Sequence, residues 1–261
     1  MTKLTGLIIL TLFVGQIHAQ ESSFNYTRDF VKILEQTNNQ SSDLYIDKLL
    51  KRFKSNDNRL TDREILSLLI GFTDDPYFKP YHYLTVERRI YTLNLKGKFN
   101  DALQLADSLL VTVPLSQQSI IEKSYSYYKL GQADSSDFYM WKFKRIMTTM
   151  ASTGDGLSPE SAIFSLGPTD GQNFIRKYLA SDIGTMGSGQ DKNGNFLDIL
   201  TAMTTDEKTR KIKGQTMYFH VQHAVKKMFD PEELADTMKN TKKNKKQKLK
   251  VGKDGRVYIK D

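Results

Sequence analysis

The stretch "KGKFNDALQLADSLLVTVP", residues 96–114, decides the fold of this chain. It has the pattern of a turn and the second helix of a helical hairpin, because a glycine precedes small residues that recur on one helical face. Small side chains there let two antiparallel helices pack closely. The marker residues are a turn glycine, an aromatic, two small residues and a terminal proline: Gly97, Phe99, Ala102, Ala106 and Pro114. The segment therefore predicts a unit of two packed antiparallel helices.

The same pattern recurs 34 residues later, which is the period of a tetratricopeptide repeat. Gly131 takes the place of the turn glycine, and Ala133 and Ser136 are small residues at the positions that follow. One period earlier the corresponding residue is Arg63, so that segment predicts only a divergent helical pair. Because stacked repeats need about three units or caps to bury their faces, we expect the flanking segments to close the array.

Helices are predicted over residues 86–96, 99–112, 117–130 and 133–150. Two more are predicted nearer the N-terminus. "SSDLYIDKLLKRF" follows a serine cap, and "TDREILSLLI" opens with Thr61 and Glu64 at the spacing of a capping box. The connecting segment "GFTDDPYFKPYHYLTVE" has helix-breaking prolines and many aromatics, which predicts a loop packed on the core. An aromatic binding groove is the alternative for this segment.

Beyond residue 150 the pattern changes. A turn, "ASTGDGLSPESA", leads to the apolar "AIFSL", a helix-like "QNFIRKYLA" and a predicted loop, "SDIGTMGSGQDKNGN". Two strands are then predicted, in "FLDILTAMTT" and "GQTMYFHVQHA", the second from its period-two alternation. A short helix capped by Asp230 precedes the C-terminal tail.

Together these elements predict an α+β fold that is mostly α. Tetratricopeptide-like antiparallel helical hairpins are followed by a small C-terminal β-containing layer. The predicted organisation is a signal peptide at 1–19, a helical region at 20–150, a small α/β closing region packed on the helices at 151–229, and a short helix with a basic tail at 230–261.

The first residues, "MTKLTGLIILTLFVGQIHAQ", have the features of a secretory signal: Lys3, a short apolar run and a small residue, Ala19, before the cleavage point. We expect cleavage between Ala19 and Gln20 and a periplasmic or secreted product. A membrane anchor is the alternative, but the run is shorter than the roughly 20 residues that span a bilayer. The chain has no Cys, which excludes a lipid-anchored cysteine, disulfides, thiolate metal sites and a Cys nucleophile.

The formal net charge of +8 is concentrated at the C-terminus. Residues 239–261 contain ten Lys or Arg and two Asp, whereas residues 20–238 contain 27 basic and 28 acidic side chains. Such a run is typical of a solvated tail. The functional alternative is electrostatic attachment to an anionic polymer or a lipid surface. No specific nucleic-acid partner is expected for an exported chain.

Four motifs carry a family resemblance: "IGFTDDPYFKPY", "LLVTVP", "GDGLSPESAIFSL" and "MYFHV". In order and spacing they resemble the secreted family called domain of unknown function 4919, found mainly in the Bacteroides group, from Phe24 to Val221. The resemblance implies an exported, helical-repeat-like body with a short C-terminal β portion, and it implies no activity. The motif residues expected to be structural are Gly71, Tyr77, Pro80, Tyr81, Gly154, Asp155 and Gly156.

No motif predicts a cofactor, a metal site or a catalytic set. His220 and His223 have the spacing of a metal-binding pair on a helix, but on the predicted strand they face opposite sides. "DKNGN" begins like a calcium loop at Asp191, yet Phe196 stands where such a loop needs glycine, so a β-turn is predicted. "GTMGSG" lacks the order of a phosphate-binding loop and is interpreted as a flexible loop.

Two functions remain as hypotheses. The first is a non-enzymatic exported module whose helical groove holds a peptide or an envelope protein. The second is an exported hydrolase or carbohydrate-active protein whose acids converge beside an aromatic cleft only in the folded chain. Its candidate acids are Asp155, Glu160, Asp191 and Asp198.

Overall fold

The N-terminal part of the described chain is built from α-helices. The computed structural model describes residues 24–205, 212–228, 249–251 and 257–259, so the predicted cleavage residues Ala19 and Gln20 and the predicted cap Asp230 lie outside the described residues. The helices that precede the sheet are α1 Tyr26–Asn38, α2 Ile46–Lys54, α3 Asp62–Phe72, α4 Leu84–Leu95, α5 Phe99–Thr112, α6 Gln117–Lys129 and α7 Ala133–Thr153.

Helices α4 to α7 form two hairpins, each joined by a glycine turn. Gly97 connects α4 to α5 with φ +71°, and Gly131 connects α6 to α7 with φ +75°. Only glycine adopts this left-handed region without strain. A Cβ added at either position would meet no atom within 4 Å, so the backbone conformation alone selects glycine. The predicted helix over 99–112 coincides with α5, and the other three predicted repeat helices agree with α4, α6 and α7 to within three residues.

The starts of α2 and α3 differ in their caps. Thr61 and Glu64 form the predicted capping box: the Glu64 N–H donates to Thr61 Oγ1, and the Thr61 N–H donates to the Glu64 carboxylate. This prediction is confirmed. The serine cap predicted for α2 is wrong, because α2 starts after Tyr45, whose side chain caps no backbone N–H.

The segment between α3 and α4 packs in part on the core. Phe72 and Phe78 are buried and meet edge to face with ring centroids 5.9 Å apart. Pro80 is also buried and Tyr81 is half-buried, whereas 61% of Tyr77 is exposed. The middle of the segment is therefore a packed loop, as predicted, although Tyr77 faces solvent. Its first two residues belong to α3 and its last four to α4.

The C-terminal part forms a small sheet on these helices. Its elements are β1 Ile163–Phe164, α8 Asp170–Asn173 with a following π-helical turn Phe174–Tyr178, β2 Asp182–Gln190, β3 Phe196–Thr205, β4 Ile212–His220 and α9 Gln222–Met228. The strand order is β1-β4-β3-β2, with β1 parallel to β4 and the other pairs antiparallel. The predicted α+β, mostly α fold class is confirmed.

Two predictions for this region are wrong. The segment 182–190, predicted as a flexible loop, is strand β2 and pairs with β3 on both sides of an irregularity between Ile183 and Met186. Its glycines leave room for large β3 side chains, since a Cβ at Gly184 or Gly189 would press on Met203 or Ile199. Strand β4, predicted to run through His223, ends at His220, because the chain enters helix α9 at Gln222, directly after the Val221 N–H donates to Phe196 O at 3.1 Å.

A glycine turn holds the sheet to α7. A Cβ at Gly154 would lie 2.2 Å from the carbonyl oxygen of Ser161, and Gly156 has φ +69°. The Gly156 N–H donates to Ser161 O, and the Tyr218 N–H of β4 donates to Gly156 O, both at 2.8 Å. These two glycines therefore serve close backbone packing.

One cluster of buried side chains joins the helices to the sheet. It contains Leu69 of α3, Met150 of α7, Phe164 of β1 and Phe219 of β4. Where α3 crosses α1, a Cβ on Gly71 would lie 2.9 Å from the Thr37 side chain, so glycine permits that approach. The sheet thus covers apolar surface that the helices leave open.

The described C-terminal residues form a separate two-stranded pair, β5 Leu249–Val251 and β6 Val257–Ile259, in antiparallel register. The basic region therefore contains some regular structure. Among the described helices, none has both the length and the hydropathy needed to cross a membrane.

Candidate functional site

An apolar groove of about 530 Å³ lies between α4, α6 and α7, and we call it the repeat groove. Helix α6 forms its floor through Ile121, Ser124, Tyr125 and Tyr128, which have the i, i+3, i+4, i+7 spacing of one helical face. Lys177, from the π-helical turn of the C-terminal part, lies at its edge. A volume of this size is in the usual range for ligand pockets.

The wall and rim of the repeat groove expose large apolar side chains. Leu95 is 69% exposed, Tyr128 67%, Tyr91 43% and Tyr125 41%. The Lys129 ammonium lies 5.5 Å from the ring centroid of Tyr125 and 5.9 Å from that of Tyr128. Contiguous exposed apolar side chains of this kind mark interaction surfaces more often than scattered ones.

A buried polar cluster forms one wall of the repeat groove. Glu122 is only 4% exposed, and its Oε1 accepts hydrogen bonds from Lys177 Nζ and Gln118 Nε2, both at 2.8 Å. Its Oε2 accepts from Asn94 Nδ2 at 2.9 Å, and Ser126 Oγ donates to Asn94 Oδ1 at 2.6 Å. Both carboxylate oxygens therefore have partners, and Glu122 positions the Lys177 ammonium at the groove.

The repeat residues lie behind the groove. Ala102 and Ala106 are fully buried in a small cluster with Ile90 of α4, which lets α5 pack closely against α4. Phe99 meets Tyr125 edge to face with centroids 6.2 Å apart. Ala133 is exposed and Pro114 half-buried. The two alanines and Phe99 therefore support the elements that present the groove.

The candidate acids of the hydrolase hypothesis do not share one site. Asp155 Oδ1 accepts from the Leu157 N–H at 2.9 Å and from Ser161 Oγ at 2.5 Å, and these bonds keep its pKa below the ordinary value. Glu160 and Asp191 line a different cavity of about 40 Å³. That volume is far below the roughly 300 Å³ at which ligand pockets begin. These residues do not form a cleft for a sugar.

Asp198 lies on β3, does not line that small cavity and is half-buried. Burial raises the pKa of Asp198 to about 6. The pKa of Tyr81 is also raised, mainly by burial and in addition by the charge of Asp198. Sequence reasoning missed two further buried acids, Glu87 of α4 and Asp170 of α8. Burial raises the pKa of Glu87 to about 7, although Ser116 Oγ donates to its Oε1 at 2.6 Å.

Asp170 lies beside Glu87 in a cavity of about 10 Å³. Burial raises the pKa of Asp170 well above the ordinary value, and the nearby Glu87 carboxyl raises it further. The Gly167 N–H, which donates to Asp170 at 2.7 Å, acts to lower it. The only sequence signal for Glu87 was an acid three residues before the buried Ile90, on the same helical face.

Both histidines contact the ring of Tyr26, and they do not lie on opposite faces of one strand. His223 lies on α9, and the Tyr26 ring stacks on His220 at 4.7 Å and on His223 at 5.9 Å between centroids. His223 Nε2 is 3.1 Å from Leu166 O and its Nδ1 is 3.3 Å from Tyr26 Oη, so both nitrogens have partners. Across the described ranges, no group of three His, Cys, Asp or Glu could hold a metal ion.

Comparison with known proteins gives a family and no activity. No curated protein and no solved structure matches the chain. A family model, described as "Domain of unknown function (DUF4919)", matches residues 31–229, which is well over half of the 261 residues. The chain is therefore a member of the DUF4919 family.

Proposed function

We propose that the protein is an exported, non-enzymatic binding module whose tetratricopeptide-like hairpins hold an apolar peptide segment of an envelope protein in the repeat groove. The observation that carries the proposal is the row of exposed apolar side chains, Tyr91, Leu95, Tyr125 and Tyr128, along one open groove of about 530 Å³. Burying these side chains against a partner would remove a large apolar area from water.

The groove favours a peptide over a small polar ligand. Most of the surface that lines the groove is apolar, through residues such as Ile121 and Met140. Lys177 Nζ carries three donors, of which Glu122 takes one, and its side chain is 28% exposed. A spare donor next to an apolar floor suits a peptide carbonyl flanked by aliphatic or aromatic side chains.

The repeat pattern and the leader support the remaining parts of the proposal. Both hairpins have a left-handed glycine turn at the same repeat position, which is the expected geometry of tetratricopeptide units. The N-terminal sequence has the features of a signal peptide. The ten basic residues of 239–261 support attachment of the exported protein to an anionic polymer or lipid surface.

Selection from a peptide library tests the proposal. Peptides selected on the purified protein are expected to be rich in apolar residues and to bind wild type in fluorescence anisotropy. Tyr125→Ser is expected to weaken binding by about tenfold or more, as loss of a buried aromatic contact at an interface does. Tyr77→Ser is the matched control, because Tyr77 is an exposed tyrosine that does not line the groove.

Binding that Tyr125→Ser and Tyr77→Ser weaken to the same extent would place the peptide elsewhere. A library from which no apolar peptide is enriched would contradict the proposal. Thermal unfolding of both variants shows that any loss of binding occurs in a folded protein.

A further inference from the structure

A second concavity, which shares no residue with the repeat groove, has the features of a site for a small cation. Its volume is about 40 Å³. It lies where the start of α1, the 3₁₀ turn Pro159–Ser161, the β2–β3 turn and the end of β4 meet, and its lining includes Thr27, Glu160, Asp191, Asn193 and His220. This cavity exceeds the roughly 10–15 Å³ that one water needs, and it is too small for a ring or a branched group.

His220 is the unsatisfied group of this cavity. It is only 5% exposed, and its Nδ1 has no hydrogen-bond partner among the described residues. Burial lowers the pKa of His220 to about 4, against the opposing effect of the Asp191 carboxylate. At neutral pH the imidazole is therefore uncharged, and in the tautomer with its proton on Nε2 the Nδ1 lone pair can accept a hydrogen bond. A buried acceptor left unpaired is costly, so a donor ligand would stabilise the site.

Asp191 supplies a fixed negative charge. Its Oδ1 accepts from the Asn193 N–H at 2.8 Å and the Asn195 N–H at 2.9 Å, and its Oδ2 accepts from Asn195 Nδ2 at 2.8 Å. Burial acts to raise the pKa of Asp191, but these hydrogen bonds outweigh it and the pKa lies below its ordinary value. Asn193 and Asn195 also donate to Thr27 Oγ1, which ties the turn to α1.

The charges around the cavity favour an ammonium over a neutral donor such as water. Two carboxylates, of Asp191 and Glu160, line it against one cation, Lys192. Lys192 Nζ is 3.8 Å from Glu160 Oε1, beyond hydrogen-bond distance, and its side chain is 71% exposed. The chain's own lysine therefore lies at the rim and does not pair with His220 Nδ1.

We propose that this cavity binds a primary ammonium group, carried by a lysine side chain or by the free N-terminus of a peptide. Three N–H donors and no acceptor match a neutral imidazole flanked by carboxylates. A metal ion fits less well, because the described residues here do not form a metal-binding group.

Titration by NMR tests the proposal on the full chain with ¹⁵N-labelled histidine. The probes are Nα-acetyl-lysine amide for the side-chain source, glycinamide for the N-terminal source, and tetramethylammonium as a cation without donors, all at constant ionic strength. A saturable shift of the His220 ring resonances is expected with at least one primary ammonium and not with tetramethylammonium. Which probe binds more tightly identifies the source.

Variants test which charged side chains of the cavity contribute to ammonium binding. Asp191→Asn keeps an acceptor for the turn and is expected to weaken binding by about tenfold, because charge-assisted hydrogen bonds are the stronger ones. Should Asp191→Asn fail to fold, Glu160→Gln on the exposed rim is expected to weaken binding in the same direction. Lys192→Gln removes the competing ammonium and is expected to strengthen it.

The result that overturns the proposal is the absence of a saturable His220 shift with both primary ammonium probes. Equal shifts with tetramethylammonium, or an affinity unchanged in Asp191→Asn or Glu160→Gln, would likewise mean that the shift does not come from an ammonium group bound in this cavity. Because the readout is His220 and not the repeat groove, these outcomes leave the peptide-binding proposal unaffected.

Discussion

Substituting Glu87 by Gln is expected to change how the stability of the protein depends on pH. Burial raises the pKa of Glu87 from 4.5 to about 7, and its Oε2 has no hydrogen-bond partner among the described residues. Such a rise corresponds to about 3 kcal/mol of free energy of unfolding. Solvent screening reduces this free energy little, because Glu87 is only 4% exposed.

The direction of this pH dependence follows from the number of protons that the folded and unfolded states bind. The unfolded chain loses this proton near pH 4.5, whereas the folded chain keeps it until about pH 7. The contribution of Glu87 to stability is therefore complete below pH 4.5, falls as the pH rises towards 7, and is absent above that. Because Asp170 lies beside Glu87, the apparent midpoint belongs to the pair.

Urea unfolding at a series of pH values measures the effect. The difference in unfolding free energy between wild type and Glu87→Gln is expected to change by about 3 kcal/mol between pH 4.5 and 7. Other titrating groups, such as Asp198 and His220, contribute to both proteins and largely cancel. Glu35→Gln, at an exposed position of α1, is the control and is expected to follow wild type. Parallel curves for wild type and Glu87→Gln would refute the reasoning.

Three further predictions concern the turns, the tail and the leader. Gly97→Ala and Gly131→Ala are each expected to lower the unfolding free energy by about 1 kcal/mol, because φ is positive at both. Gly187→Ala, with no positive φ and no atom near an added Cβ, is the control in the same urea assay. Deleting residues 239–261 is expected to leave the thermal midpoint nearly unchanged and to abolish salt-sensitive binding to anionic vesicles, whereas a large loss of stability would show that the tail is part of the fold. Intact-mass analysis of exported protein is expected to show cleavage after Ala19, and a chain that retains Met1 would contradict that assignment.

The helical half of the fold follows from local sequence. Helix α5 begins at Phe99 and ends at Thr112, as its pattern predicted, because the preceding glycine turn and the following proline limit it on both sides. The capping box of Thr61 and Glu64 is equally local, since it depends on residues three positions apart.

The sheet depends on contacts that the local pattern does not contain. Strand β2 was missed because its glycines give no apolar alternation, and its pairing with β3 is what makes it a strand. Strand β4 is followed by helix α9 at Gln222, whose side chain accepts from the Phe196 N–H of β3, on a different segment of the chain. That is why His223 was placed on a strand when it lies on α9.

The repeat groove was predicted only as a general groove of stacked helices. Its tyrosines, Tyr125 and Tyr128, occupy ordinary positions of an amphipathic helix and carry no motif. Lys177 comes from the C-terminal part, 55 positions from its partner Glu122, so their ion pair is a tertiary contact without a local signal. Buried acids such as Asp170 are invisible for the same reason.

Site-specific photo-crosslinking tests the central claim most directly. A benzoylphenylalanine is placed at Tyr128, which is 67% exposed within the repeat groove, or at Val111, which is 78% exposed outside it, in cells that express the protein. Crosslinks from position 128 are expected to converge on one short apolar segment, and a synthetic copy of that segment is expected to bind purified wild type and to bind Tyr125→Ser about tenfold more weakly. Equal crosslinking from position 111, or a crosslinked segment that the purified protein does not bind, would contradict a peptide-binding groove.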